Sequence, residues 1–524
     1  MTDPIATTLA YHARTKHHLE RYAKGPAGLD WDAQPAAFRH WIGAAKQALP
    51  RDVEMTGIAW PQLDQTRPPQ DFSPASLGSM LRLCAGITAW KQYGPSRWSL
   101  RAHPSSGNLH PTETWLISAG VPGLADGLHH YQAFDHSLER RAWNDTAEPG
   151  ETAIWLGYSS IAWREAWKYG ERAFRYCQLD MGHVLAALTY AAALHGWSVR
   201  LVNLSPAETA ARLGVDRAAD FAGVEAEEAE VIVSLQPNQT GTKAQPPAWT
   251  HWAGQPILLD PKPMYDWPVI EEVALATRGG LPSDSLADAS PAAQVKSQVV
   301  SLSETAASQV ILQRRSAQAF DGVSVMPHAV FRRLLAAMLP GGSPVWRMWP
   351  HAPRVHPVLL VHRVEGIKPG LYALPRSEAA LADLKQTMPD LFTWTPADIE
   401  LPLFQLMAAK AERTARTLSC HQDIASHSAF AVMFIAEFDA PIQANPAAWR
   451  HLHWEAGMLG HCLTLEAEAA GWRGTGIGCF FDDAVHEVLG LEVGEENAHY
   501  QVVYHFAIGI PVDDARLTTL PAYA

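Results

Sequence analysis

Cysteine and positive charge are both scarce in this chain. Five cysteines (Cys84, Cys177, Cys420, Cys462 and Cys479) are scattered over 524 residues, with no CxxC pair. That excludes a disulfide scaffold or a zinc ribbon and predicts free thiols in a reducing cytoplasm. Lys and Arg number 41 against 54 Asp and Glu, a formal net charge of −13. Such a balance offers no field for nucleic acid or for an anionic membrane surface. No apolar run approaches the ~18 residues of a membrane helix, and the start, "MTDPIATTLAYHARTKHH", has no signal-peptide core. The 24 histidines form no HExxH and no paired Cys/His spacing, so no metal is expected. A soluble intracellular protein is what these absences leave.

What is present is a repetition. "RYCQLDMGHVLAALTYAAALHGW" (175–197) aligns without gaps with "RHLHWEAGMLGHCLTLEAEAAGW" (450–472), at an offset of 275. Arg175 matches Arg450, Asp180 matches Glu455, Gly182 matches Gly457, and each segment closes on Gly-Trp. Apolar residues at helical spacing predict a buried helix in each copy, ended by its glycine. Asp180 and Glu455 read as early-turn acids facing the helix N-terminus. Further on, "ARLGV" (211–215) corresponds to "EVLGL" (487–491), and each copy ends in a β-branched run, 230–235 and 500–510. Upstream, 77–88 resembles 331–339, 110–119 resembles 356–364, and 127–131 resembles 370–372. Each copy is therefore an α+β unit: residues 1–235 and 296–524, joined by a Pro-rich linker, 236–295.

The loop "RAHPSSGNLHPTE" (101–113) sets small, hydrogen-bonding and conformationally special residues ahead of an apolar run. It is suited to presenting backbone N–H groups to something flat and polar. With "AGIT" (85–88), "GLHHY" (127–131) and "WKYGERAFRYCQLDMGH" (167–183), it resembles the SagB-type azoline dehydrogenase branch of the nitroreductase superfamily. The second copy, with "ILQRRSAQAFDG" (311–322), "GTGIGCF" (474–480) and "AIGIPVDDARL" (507–517), is similar to the general nitroreductase pattern.

That resemblance implies two tandem nitroreductase-like domains forming an intramolecular pseudo-dimer, with FMN between them. Pro104, Ser105, Ser106, Gly107 and Asn108 would lie against the flavin ring. Arg314, Arg315 and Ser316 would grip its phosphate, with forked donors that suit one. Gly476 and Gly478 would pass near the ring, and Arg516 is a second phosphate candidate. Copy one keeps the Ser-Ser-Gly-Asn loop, and copy two has "WPHAPRVHP" (349–357) there. Copy two keeps Arg-Arg-Ser, and copy one has only Arg14 and Thr15. One intact composite site, one FMN per chain and a monomer are the expectation, with further oligomerisation open. Lys168 and Tyr169 match the family's catalytic pair for oxidising an azoline. The competing readings are an NAD(P)H-dependent nitro or quinone reductase and a non-catalytic flavin-binding protein. Cys479 lies beside the expected flavin contacts, yet nothing near it in sequence marks an activated thiolate.

Overall fold

The computed structural model describes residues 3–52, 57–145, 152–237, 245–282, 305–494 and 498–523. Two antiparallel sheets carry it. The first runs His251–Trp252, Ser137–Trp143, Gly127–Gln132, Thr112–Ala119, Ala153–Ser160, Glu228–Gln236, Ser198–Leu201. The second runs Thr395–Pro396, Phe404–Ala408, Gly370–Ala373, Val355–Val361, Phe430–Glu437, Tyr500–Gly509, Arg473–Ile477. From Gly127–Gln132 and from Gly370–Ala373 onward the strand order is the same in both. The segments paired by the sequence repeat thus occupy equivalent places.

Each sheet is covered by one of the repeated helices, Ala173–Leu194 and Ala448–Ala469, both buried almost end to end. Their matched glycines are the crossing point. A Cβ on Gly182 would sit 2.1 Å from the carbonyl oxygen of Trp454, and one on Gly457 would sit 2.2 Å from that of Leu179. Only a residue without a side chain allows two helix backbones to touch there. The chain leaves each helix through a left-handed glycine, Gly196 (φ +74°) and Gly471 (φ +75°), as the spacing predicts.

Asp180 and Glu455 are not early-turn acids. Each is the eighth residue of its helix, and each accepts from the loop ahead of a central strand. Asp180 takes the Ser106 N–H at 3.1 Å, and Glu455 takes the Arg354 N–H at 3.3 Å and pairs with Arg376. Their repetition thus reflects a shared loop anchor.

The two units also exchange ends. His17 bridges to Phe481, and Lys16 pairs with Asp483 at 2.7 Å. In return Thr518–Leu520 adds a third strand to the hairpin Ile87–Tyr93/Ser96–Arg101.

The stretch expected as a linker is structured where it is described. His251–Trp252 pairs with Ser137–Trp143, Gln255–Pro256 pairs with Trp41–Ile42, and Pro268–Ala276 is a helix beside Pro4–Arg14. Its Pro- and Gln-rich composition concealed aromatic anchors. Trp249 donates its indole N–H to Arg212 O at 2.8 Å, and Trp252 lies where a Cβ on Gly214 would meet it at 2.1 Å. Residues 238–244 and 283–295 of that stretch lie outside the described residues.

Candidate functional site

A cavity of about 700 Å³ opens between the two units and is lined by both. From the first come Pro104, Ser105, Ser106, Gly107 and Asn108, with Tyr169, Tyr176, Asp180 and His183; from the second come Arg314, Arg315, Ser316, Gly476, Gly478 and Tyr504. The loop expected at 104–108 and the arginines expected at 314–315 therefore share one wall-to-wall space.

The loop is held from inside. Gly107 (φ +58°), Asn108 (φ +60°) and His110 (φ +52°) are all left-handed, a run few sequences other than Gly-Asn tolerate. Asp180 accepts both the N–H and the hydroxyl of Ser106, at 3.1 and 3.2 Å. Ser105 Oγ accepts the His110 N–H at 2.8 Å, and Asn108 donates to Ser99 O at 2.9 Å. The Ser106 N–H and the Asn108 amide, expected to face a ligand, are thus used to fix the loop's shape. Burial raises the Asp180 carboxyl to about 7, against the bonds from Ser105 and Ser106 that favour its ionised form. Glu165, fully buried beside it, is pushed up for the same reason.

Lys168 and Tyr169 end the helix Ala162–Tyr169 behind this loop; Tyr169 lines the cavity, whereas Lys168 does not and approaches it only at Gly107. A Cβ on Gly107 would lie 2.6 Å from the Tyr169 hydroxyl and 3.1 Å from Lys168 Nζ. Glycine is required there twice over, by its backbone and by these two groups. Burial lowers the Lys168 pKa, opposed by Glu165.

The second unit supplies the cations. Arg314 is buried and donates to Arg101 O (2.9 Å) and Ala102 O (3.1 Å); burial brings its pKa down to about 10, with Arg315 adding to the effect. Arg315 is half-buried, and its side-chain bonds to Thr88, Leu312 and Arg314 all leave from Nη1. Two further cations line the cavity without having been expected: Lys91, on the first unit's hairpin, and Arg473, paired with Asp513 at 3.0 Å. Arg516 is not among the lining residues. It is exposed and closes a ring of hydrogen bonds on Asp514.

The glycines at 476 and 478 make room for tyrosines. A Cβ on Gly476 would overlap Tyr504 Oη at 1.8 Å, and one on Gly478 would meet the Tyr176 ring at 2.3 Å. Tyr504 in turn bonds His183 at 3.1 Å, and Tyr176 donates to Gly478 O at 3.1 Å.

Residues 311–510 match the model of the Nitroreductase family. The chain carries a nitroreductase-family domain. A crystal structure of a "putative nitroreductase" from Anabaena variabilis ATCC 29413 superposes with TM-score 0.68 at 20% identity, covering 97% of this chain and 99% of that one. The nitroreductase-like mixed helix-and-sheet fold thus runs through nearly all of the chain, beyond the family domain itself. A second such protein, from Ralstonia eutropha JMP134, is 15% identical over 40% of this chain and 85% of its own, with TM-score 0.27. Indigoidine synthase of Dickeya dadantii (strain 3937) is 25% identical over 158 residues, 30% of this chain. The chain spans a tenth of that relative's length.

The nitroreductase-family domain provides the arginines and Gly476–Gly478; the upstream unit provides the loop. The counterpart of this cavity, 275 residues displaced, is nearly closed. Val202, Leu204 and His451, equivalent to the lining residues Ile477, Cys479 and Tyr176, border a space of about 30 Å³, room for a water or two. Trp349, from the divergent "WPHAPRVHP" loop, packs against His451 and Trp454 with ring centroids at 6.0 and 6.3 Å. Among the described residues no cluster of three or more metal-ligating side chains is present, and no helix is long and apolar enough to cross a membrane.

Proposed function

We propose that this protein is an FMN-dependent oxidoreductase with one composite site, its two nitroreductase-like units (1–235 and 296–524) acting as an intramolecular pseudo-dimer. The observation that carries the reading is the asymmetry of the two cavities. One unites the Ser105–Asn108 loop with Arg314 and Arg315 in about 700 Å³, and its counterpart offers about 30 Å³. The larger volume is that of a small-molecule or cofactor site.

The donor set fits a flavin mononucleotide. Arg315, Arg473 and Lys91 would hold a phosphate, with Arg314 fixed behind them by the Arg101 and Ala102 carbonyls. The Ser105–Gly107 backbone and the rings of Tyr169 and Tyr176, 4.7 Å apart between centroids, would border the flat part of the ligand. When bound, FMN supplies the hydride chemistry.

The chain's own residues would place the substrate and move a proton. Lys168 is the base in this reading: burial lowers its pKa, so more of it is neutral at a given pH and able to take a proton from a substrate carbon. Tyr169, beside it at Gly107, would orient the substrate. These assignments favour dehydrogenation of an azoline-type heterocycle, in a peptide or small molecule, over NAD(P)H-driven reduction. A cytoplasmic location, with the cysteines unpaired, belongs to the same reading.

Purified protein should be yellow and release one FMN per chain on denaturation. Anaerobic NADPH should leave the colour, and an azoline should bleach it. Colourless protein that takes up no FMN would end the proposal, two FMN per chain would refute the single site, and rapid bleaching by NADPH alone would establish the reductase instead.

A further inference from the structure

Three of the cysteines, Cys84, Cys177 and Cys462, are buried; Cys420 and Cys479 are partly exposed, and both line the large cavity. They lie on two neighbouring segments of the same cavity wall. Their segments are held side by side on both flanks of the pair. The Phe481 N–H donates to Leu418 O at 2.9 Å, and Gln422 Nε2 donates to Cys479 O at 3.3 Å. Cys420 and His421 are consecutive left-handed residues, φ +51° and +59°. Non-glycine residues rarely adopt that conformation, and two in a row are held only by a surrounding structure that dictates them. Cys420 is thus set beside the Cys479 segment by a constrained turn.

The electrostatics separate the two roles. The neighbouring Cys420 favours the Cys479 thiolate; the buried Arg172 guanidinium, which also donates to Gly478 O at 3.3 Å, adds to this, and burial and Asp482 oppose it. Cys420 is correspondingly held as the thiol. A thiolate beside a protonated neighbour is the arrangement of an attacking and a resolving cysteine.

We propose that Cys420 and Cys479 form a reversible dithiol–disulfide pair on the cavity wall, closed by oxidised small-molecule thiols and reopened by reduced ones. The Cys479 thiolate attacks one sulfur of the small disulfide; a mixed disulfide forms and one small thiolate leaves. Cys420 then loses its proton and attacks the Cys479 sulfur, which forms the internal S–S bond and expels the second small thiolate. Two electrons pass from the protein dithiol to the small disulfide, and two small thiols are released. Closing the bond ties the 418–422 turn to Gly478–Cys479, where Tyr176 and Arg172 already grip the wall. The pair would cycle whether or not the cavity holds a flavin.

The test equilibrates the full chain with oxidised or reduced glutathione, alkylates it under denaturing conditions and maps peptides by mass spectrometry. Alkylatable thiols should fall from five to three in oxidised glutathione, with a peptide joining Cys420 to Cys479, and return to five in reduced glutathione. The Cys420→Ser variant should instead collect a stable glutathione adduct at Cys479. Five thiols in both buffers would overturn the proposal, as would separate glutathione adducts on the two cysteines of the unaltered chain with no internal link.

Discussion

The Asp180 carboxylate accepts the Ser106 N–H at 3.1 Å across 74 residues of sequence, and it does so from a fully buried position. Burial holds its pKa near 7 rather than 3.8. An acid raised on folding contributes stability that is complete below its unfolded pKa and is lost as pH rises through the folded one. Stability at this site should therefore fall between about pH 4 and pH 7. Asp180→Asn keeps an acceptor and abolishes the titration. Relative to the unaltered protein the variant should gain about 2–3 kcal/mol between pH 5 and pH 8, read as the difference in denaturant midpoints. Parallel pH profiles would show that the carboxyl does not titrate in this range.

Arg315 and Arg14 stand in the corresponding motifs of the two copies but have different surroundings. Arg14 is half-exposed and forms a forked pair with Glu171 at 2.6 and 2.7 Å; Arg315 lines the cavity. Arg315→Ala should weaken FMN binding about 10–100-fold, the value of charged hydrogen bonds to a phosphate. Arg14→Ala should leave it unchanged. Titration of the apoprotein with FMN measures both, and equal losses would contradict a single phosphate grip.

Gly182 and Gly457 allow the long helices to cross at backbone contact. With an added Cβ only 2.1 Å from a carbonyl oxygen, Gly182→Ala should cost about 3 kcal/mol or more. Gly280, with nothing within 4 Å of an added Cβ, is the control, and Gly280→Ala should be near neutral. Chemical denaturation distinguishes them.

Lys168 has its pKa lowered by burial. The limb on which kcat/KM rises with pH should therefore lie below the usual lysine value near 10.4. Lys168→Met should remove that limb and lower turnover about 10²–10⁴-fold with FMN occupancy intact. A pH profile unaltered in the variant would assign the base elsewhere.

Much of this was legible in the sequence, and the exceptions have physical causes. The matched helices announced themselves because both faces of the crossing need the same residues, so Gly182 and Gly457 survive at one offset. The Ser105–Asn108 loop and Arg314–Arg315 were visible as motifs. Lys91 and Arg473 were not: each is a single cation on a strand, and only the pairing of distant strands brings it to the cavity. Tyr176 and Tyr504 carry the spacing of core residues and reach the cavity wall only because Gly478 and Gly476 leave room for them. The strands at 251–256 are two residues each, too short for any periodicity. Arg516 shows the converse. A motif position can be right in sequence and still turn toward a neighbouring acid, here Asp514.

The strand Thr518–Leu520 completes a hairpin from the other end of the molecule; Lys91 Nζ reaches Thr519 Oγ1 at 2.7 Å over a separation of 428 residues. On the ribosome that hairpin therefore emerges with one edge bare and must wait for almost the whole remaining chain before it is covered. A nascent or prematurely stopped polypeptide would present an unpaired β edge beside an unfinished cavity wall, so chaperone engagement during translation should centre on residues 87–101.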